Sequence, residues 1–382
     1  MPKDTGTSRA RRSKGEGSIT ELPDGRFRGA IWLPDPDGNA RRKYVRGRTR
    51  AEVSRKFTEL REQAKGGYPD GTTTGAFLTR WVETMRPEVR AATHREYARH
   101  VVQYWVPLVG SIELTKLALS DVRAGMATLE ARPLSRQTVR SARVTLRRAL
   151  GDAQRDGLIT RNVAALARPP SVERHEMRAL TREEVARLTA ATADDPHGPV
   201  FALAIGSGLR LGELLALSWD DVDLIERKMT VRRTLARTYD GGYDFAEPKT
   251  KRSRRTVMLP ALAVDALKRQ KGRQAALRLA AGTAWQDRRN LVFTDAVGRP
   301  VAPGHVSKAF RAAADRLGLP VRFHDLRHTA ATLLLSAGVP LKVVSETLGH
   351  ASIVVTADVY AHVTPELKRE AADAMDRALG GA

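Results

Sequence analysis

Phe323-His324-Asp325-Leu326-Arg327-His328-Thr329 runs directly into an apolar stretch that ends at Leu335. The pattern reads as the first turn of a buried helix, headed by two imidazoles and a guanidinium. His324 and Arg327 stand i, i+3 and so share one face. His324 and His328 stand i, i+4, a spacing that can hold a metal ion. The glutamate of a His-Glu-x-x-His zinc motif is missing, however, because the shorter Asp325 follows His324. No metal site is expected there.

Working outward, Thr347-Leu348-Gly349-His350 follows downstream, and Thr356-Ala357-Asp358-Val359-Tyr360 lies ten residues beyond it. Upstream, Thr181-Arg182-Glu183-Glu184 resembles a capping box. An apolar helix from Val200 to Ile205 ends near Gly206-Ser207-Gly208, and Leu209-Arg210-Leu211-Gly212-Glu213-Leu214 begins the next. Arg210 and Glu213 are again i, i+3, which by itself describes an ordinary surface ion pair. A single tyrosine near a C-terminus is ordinarily a packing residue, and a histidine after glycine a helix cap. From Lys228 to Leu259 the pattern turns strand-rich, with a hairpin turn at Glu247-Pro248-Lys249-Thr250.

The rest of the chain falls into segments around this one. The 382 residues are too many for one ordinary core. Residues 1–66 read as a small basic unit. In it, strands start at Ser18, run from Phe27 to Trp32 and from Ala40 to Val45, and precede a helix, Arg50 to Gln63, capped by Thr49. A β-ribbon of this kind, carrying Arg28, Arg41, Arg42 and Lys43, can enter a DNA groove. Residues 72–168 read as all helix. On its last long helix, Arg136, Arg140, Arg143 and Arg147 step by four, three and four, which places them on one face suited to tracking phosphates. After the linker Arg168-Pro169-Pro170, residues 175–382 form the largest unit, mainly helical with a small antiparallel sheet. The expected fold class is therefore multidomain α+β.

Composition narrows the function. Lys plus Arg number 65 against 43 Asp plus Glu, so the formal net charge is +22. A surplus of that size seeks a polyanion. The absence of cysteine excludes disulfides, thiol nucleophiles and Cys-type zinc clusters, and fits a reducing cytosol. No apolar run is long enough to span a bilayer, and the basic, polar opening is not a secretory signal. No Gly-x-x-x-x-Gly-Lys-Ser/Thr loop is present, so no nucleotide cofactor is expected.

Taken together, Gly-Leu-Arg210-Leu-Gly-Glu213, His324-Asp-Leu-Arg327-His, Leu-Gly-His350 and Tyr360 resemble, in order and spacing, the tyrosine recombinase (phage integrase) family. Lys249 resembles that family's hairpin lysine. The resemblance implies an arm-type DNA-binding domain, a helical core-binding domain and a catalytic domain, in that order. It also implies site-specific integration, and excision, of a mobile element through a 3′-phosphotyrosyl intermediate. Tyr360 would be the nucleophile. Arg210 and Arg327 would clamp the phosphate bidentately, as planar guanidinium forks do. His324 would accept the tyrosine proton, His350 would hydrogen-bond the phosphate and Glu213 would orient Arg210. Lys249 would protonate the departing 5′ oxygen, with Lys251 two residues away as an alternative. No metal or other cofactor is implied.

The expected partners are double-stranded DNA attachment sites and three further copies in a tetramer, with an excision factor or a host DNA-bending protein as accessories. No membrane partner is expected, and the expected location is the cytoplasm, at the nucleoid. A topoisomerase-like enzyme that only relaxes DNA would have no use for an arm domain. A non-catalytic DNA binder would have no use for the full set of Arg, Lys, His and Tyr.

Overall fold

The computed structural model describes residues 18–34, 40–64, 68–69, 71–172, 178–247, 254–287 and 289–349, with isolated positions between 372 and 380. The chain divides into two compact units, residues 1–173 and 174–382.

The first unit opens with β1 (Ser18–Glu21), β2 (Phe27–Pro34) and β3 (Ala40–Gly47), an antiparallel sheet in that order. The β1–β2 turn closes because Gly25 takes φ +73° and Asp24 accepts a hydrogen bond from the Arg26 amide. The second and third strands run two residues past the expected ends at Trp32 and Val45. Their ladder continues from Phe27 opposite Gly47 to Pro34 opposite Ala40. Helix α1 (Arg50–Ala64) starts where the Thr49 hydroxyl accepts the Glu52 amide, and buries Val53 against the sheet.

The helical part comprises α2 (Thr74–Thr84), α3 (Ala91–Arg99), α4 (Val106–Val109), α5 (Leu119–Glu130), α6 (Arg136–Arg155) and α7 (Val163–Leu166). Thr73 and Ser135 cap α2 and α6 through their hydroxyls. Phe77, Trp81, Trp105, Leu129, Leu146 and Leu150 fill the core, and the Trp105 indole donates to the Ala142 carbonyl. Between α3 and α4 the backbone widens into a π-helical turn, His100–Trp105. That turn buries His100, whose Nδ1 lies 2.8 Å from the Thr145 hydroxyl.

Burial holds the His100 imidazole below its ordinary range, against the pull of Glu96 and with some help from Arg99. The unfolded chain therefore takes up a proton near pH 6.5, before the folded one does. Stability should fall as the pH drops below about 6.5. Urea denaturation followed by tryptophan fluorescence should show a shallower acid loss for His100→Gln than for the wild type. Parallel pH curves for the two would disprove the assignment.

The second unit contains α8 (Arg182–Ala191), α9 (Gly198–Ser207) and α10 (Leu211–Leu214), then strands β4 (Val222–Asp223), β5 (Lys228–Val231), β6 (Thr234–Arg237), β7 (Tyr243–Ala246) and β8 (Arg255–Met258). Helices α11 (Ala261–Ala281), α12 (Pro303–Arg316), α13 (Asp325–Ser336) and α14 (Leu341–Leu348) follow. Thr181 forms the expected capping box with Glu184. The strands make two sheets rather than the single one expected: β4-β5-β8 and the hairpin β6-β7. The two-residue β4 is too short to show a periodic pattern. Helix α9 is apolar nearly all round because α8, α10, α11 and α13 all pack against it. Phe201, Phe310 and Phe323 meet edge to face beside it, with centroids 5.2–6.2 Å apart. No helix among the described residues is long and apolar enough to cross a membrane.

Candidate active site

Helix α9 ends because Gly208 adopts a left-handed conformation, φ +63°, and turns the chain sharply. Two residues on, Arg210 is extended, φ −70° and ψ 148°, at the N-cap of α10. Glu213 folds back from the first turn. Its Oε2 accepts the Arg210 amide at 3.1 Å and its Oε1 accepts Arg210 Nη1 at 3.0 Å.

This is not a surface ion pair. The Glu213 side chain is 4% exposed, and a second guanidinium reaches it: Arg255 Nη2, from β8, donates to Oε2 at 3.0 Å. Burial alone would raise the Glu213 pKa. The charge and hydrogen bond of Arg255, then the Arg210 amide and charge, outweigh burial and hold the carboxyl below its ordinary range.

Arg327 comes from the first turn of α13 and is buried. Its Nη1 donates to the Gly208 carbonyl at 2.7 Å, while its Nη2 has no hydrogen-bond partner among the described residues. Burial, and next the Arg210 charge, push its pKa down to about 9, with Arg255 adding to the repulsion and Glu213 opposing it. It remains cationic at neutral pH. A buried, charged donor without an acceptor is costly unless a ligand supplies one.

His324, at the N-cap of the same helix, is exposed. Desolvation of the ring, then the charges of Arg327 and Arg210, hold it below the ordinary imidazole range despite Asp325. Neutral imidazole, able to accept a proton, is thus favoured.

The structure therefore brings Arg210, Glu213, His324 and Arg327 into one mainly cationic cluster. Gly349, the left-handed C-cap of α14, joins them: its carbonyl accepts Arg210 Nη2 at 3.3 Å. Lys249, Lys251, His350 and Tyr360 lie outside the described residues. Arg254 and Glu247, which flank the segment 248–253, form an ion pair at 2.6 Å.

Sequence reasoning missed Arg255. The signal was present, since strand alternation puts Arg255 on the face of buried Val257. It was hidden in the basic run Lys251-Arg252-Ser253-Arg254-Arg255.

The arginine stripe on α6 is not uniform. Arg136, Arg140 and Arg147 are exposed, as expected of a phosphate-tracking face. Arg143 departs from that expectation: it is buried, and its Nη2 donates to the Ala165 carbonyl at 3.2 Å. Its step on the helix borders the Val139–Leu146–Leu150 side, which α7 covers. On the N-terminal sheet Arg28 is exposed, with its guanidinium 5.8 Å from the Tyr44 ring centroid. Arg41, Arg42 and Lys43 sit on β3 opposite Leu33, Trp32 and Ile31.

Gly208 allows a direct test of this geometry. A Cβ there would stand 2.2 Å from Leu348 Cδ2, and the left-handed φ is itself costly for alanine. Gly208→Ala should therefore lower unfolding stability by about 2–4 kcal/mol. A thermal midpoint equal to wild type would contradict the packing described here.

Comparison with known proteins gives the family. The model of the phage integrase family matches residues 178–366. An integrase of Streptomyces ambofaciens is 31% identical over 375 residues, covering 92% of this chain and 93% of that protein. A XerC-like tyrosine recombinase of Caldanaerobacter subterraneus is 29% identical, covering 90% and 93%. Among solved structures, the Tn1549 transposon integrase bound to circular-intermediate DNA superposes with a TM-score of 0.67 at 21% identity, over 80% of this chain and 99% of that one. By these relationships the chain belongs to the phage integrase family: it is a tyrosine recombinase, an integrase that cuts and rejoins DNA at specific sites.

Proposed function

We propose that Tyr360 attacks a DNA phosphodiester held by Arg210 and Arg327, and that the resulting 3′-phosphotyrosyl bond is resolved by the 5′ hydroxyl of a second strand. The observation that carries this reading is the buried Arg327, held beside Arg210 with an Nη2 that has no hydrogen-bond partner among the described residues. Charge accumulates on the phosphate oxygens as the fifth bond to phosphorus forms, and fixed guanidinium donors stabilise it there. His324, held neutral, accepts the tyrosine proton. Lys249, in the segment bounded by Glu247 and Arg254, gives a proton to the departing 5′ oxygen, and Lys251 is the alternative donor. His350, next in sequence to Gly349, hydrogen-bonds the phosphate. One phosphate–oxygen bond breaks for each one formed, so the exchange consumes no ATP.

For DNA contact we propose the exposed Arg136, Arg140 and Arg147 on the core site, and Arg28, Arg41, Arg42 and Lys43 on a second, arm-type site. Arg143 is left out because its guanidinium is already engaged inside the unit. The domain limits that go with this are 1–66, 72–168 and 175–382. Lambda integrase has been solved as a tetramer on a Holliday junction. We propose the same assembly here, acting at the attachment sites of a mobile element in the nucleoid, with an excision factor or a DNA-bending protein as accessory.

The test is covalent capture. Wild-type protein mixed with nicked duplexes from DNA flanking its gene should yield a slow-migrating, protease-sensitive species without added nucleotide and in the presence of chelator. Tight, salt-sensitive binding to a duplex that the same protein never joins covalently would refute the catalytic reading.

A further inference from the structure

We propose that Arg255 is a positioning residue that locks the phosphate-binding Arg210 and the chain leading into His350 into one frame. This deepens the proposed function and rests on it. Arg255 is the first residue of β8, and its side chain is 7% exposed. Its guanidinium is used on two edges at once: Nε donates to the Thr347 carbonyl at 2.7 Å and Nη2 to Glu213 Oε2 at 3.0 Å.

Each contact has its own logic. Thr347 lies in the last turn of α14, where carbonyls lack intrahelical partners and the helix end carries partial negative charge. Two cations satisfy that end. Arg255 takes the Thr347 carbonyl and Arg210 takes the Gly349 carbonyl. Glu213 lies between the two guanidinium groups and accepts from both. The result is a closed ring of hydrogen bonds: Arg210 to Glu213, Glu213 to Arg255, Arg255 to the end of α14, and the end of α14 back to Arg210.

Gly349 provides a second, independent sign. Its left-handed φ of +69° ends the helix, and a Cβ there would stand 2.8 Å from Arg255 Nη1 and 2.9 Å from Cζ. The backbone thus lies against the guanidinium, at a distance that a glycine alone permits. The residue after Gly349 is His350. On its other side, Arg255 follows Arg254, whose ion pair with Glu247 ties the two ends of the segment holding Lys249. One buried arginine side chain therefore anchors two places that must hold still together, the Arg210 turn and the end of α14 that leads into His350, and it begins the strand that follows the segment holding Lys249.

A planar fork suits this task better than an ammonium group. Nε and Nη2 point in fixed directions, so satisfying one acceptor aims the other. Lysine would keep the charge next to Glu213 without fixing both directions.

The test uses the full chain on the trapping duplex, with enzyme in excess, reading cleavage rate constant and final amplitude separately. Arg255→Gln should lower the rate constant about 10–100-fold, the size expected when a reacting group is misplaced by around an ångström. Final amplitude and duplex affinity should stay within about twofold. Arg255→Lys, which keeps the charge and so guards against simple unfolding, should fall between wild type and Arg255→Gln. A residue needed only for folding would instead lower amplitude and leave the rate constant alone.

Because Arg255 is argued to act through Arg210, the two should not be additive. In an Arg210→Lys background, Arg255→Gln should change the rate constant by less than about threefold. Full additivity, an unchanged rate constant in Arg255→Gln, or loss confined to amplitude would each overturn the proposal. If Arg210→Lys itself cleaves like wild type, the fault lies in the assignment of the phosphate site and not in the role of Arg255 alone.

Discussion

Tyr360→Phe should form no covalent protein–DNA species on any duplex that traps the wild type, at any enzyme concentration and reaction time. The substitution removes one oxygen, and that oxygen is the atom proposed to bond to phosphorus. Water is no substitute, since attack by water would release free DNA ends and leave nothing on the protein. Binding should be unaffected. A net charge of +22 draws its affinity from many phosphate contacts, and a single neutral hydroxyl contributes little to that sum. The measurement is a denaturing gel beside a native mobility shift on the same duplex. An equal native shift with an empty covalent lane is expected. A covalent band in Tyr360→Phe would assign the nucleophile to a different residue, and peptide mapping of the band would identify it.

Arg327→Ala should lower the single-turnover cleavage rate by about 10²–10³, the usual cost of deleting one preorganised donor from an oxyanion-type site. Its position predicts the upper part of that range. The guanidinium is buried, so its field on a bound phosphate is poorly screened, and Nη2 has no protein acceptor among the described residues to compete for it. The stability effect should be much smaller. Breaking a buried ion pair ordinarily costs about 3–5 kcal/mol, but the direct contact of Arg327 is with the Gly208 carbonyl. Removing the cation also relieves repulsion from Arg210 and Arg255. Single-turnover kinetics and urea denaturation on the same preparations separate the two quantities. A large stability loss with cleavage largely intact would make Arg327 a structural residue and would remove the central support for the proposed phosphate site.

How far the sequence could be read depended on the range of the interactions involved. The N-terminal strands and α1 were legible because Pro23-Asp24-Gly25, strand alternation and Thr49 act within a few residues of themselves. The capping box at Thr181 and the end of α9 at Gly208 were legible for the same reason. The unevenness of the α6 stripe was not. Helical spacing puts Arg143 with its neighbours, but its burial depends on α7, which packs there from some twenty residues further along the chain. The division of the strands into two sheets was likewise a matter of pairing, which β4 is too short to announce.

The sequence by itself determined the family, the order of the motifs and the basic character of the chain. Each of these is carried by residue identity and spacing, which need no neighbour in space to be read. The tertiary structure alone decided that Glu213 is a buried carboxylate shared by Arg210 and Arg255, not a surface partner of Arg210. It also decided that Arg327 Nη2 has no hydrogen-bond partner among the described residues and that Arg255 reaches Glu213. The contacts behind these findings join residues 42 to 139 positions apart, such as Glu213 to Arg255 and Arg210 to Gly349. Burial converts such contacts from solvated charges into fixed geometry, and burial is a property of the packed chain.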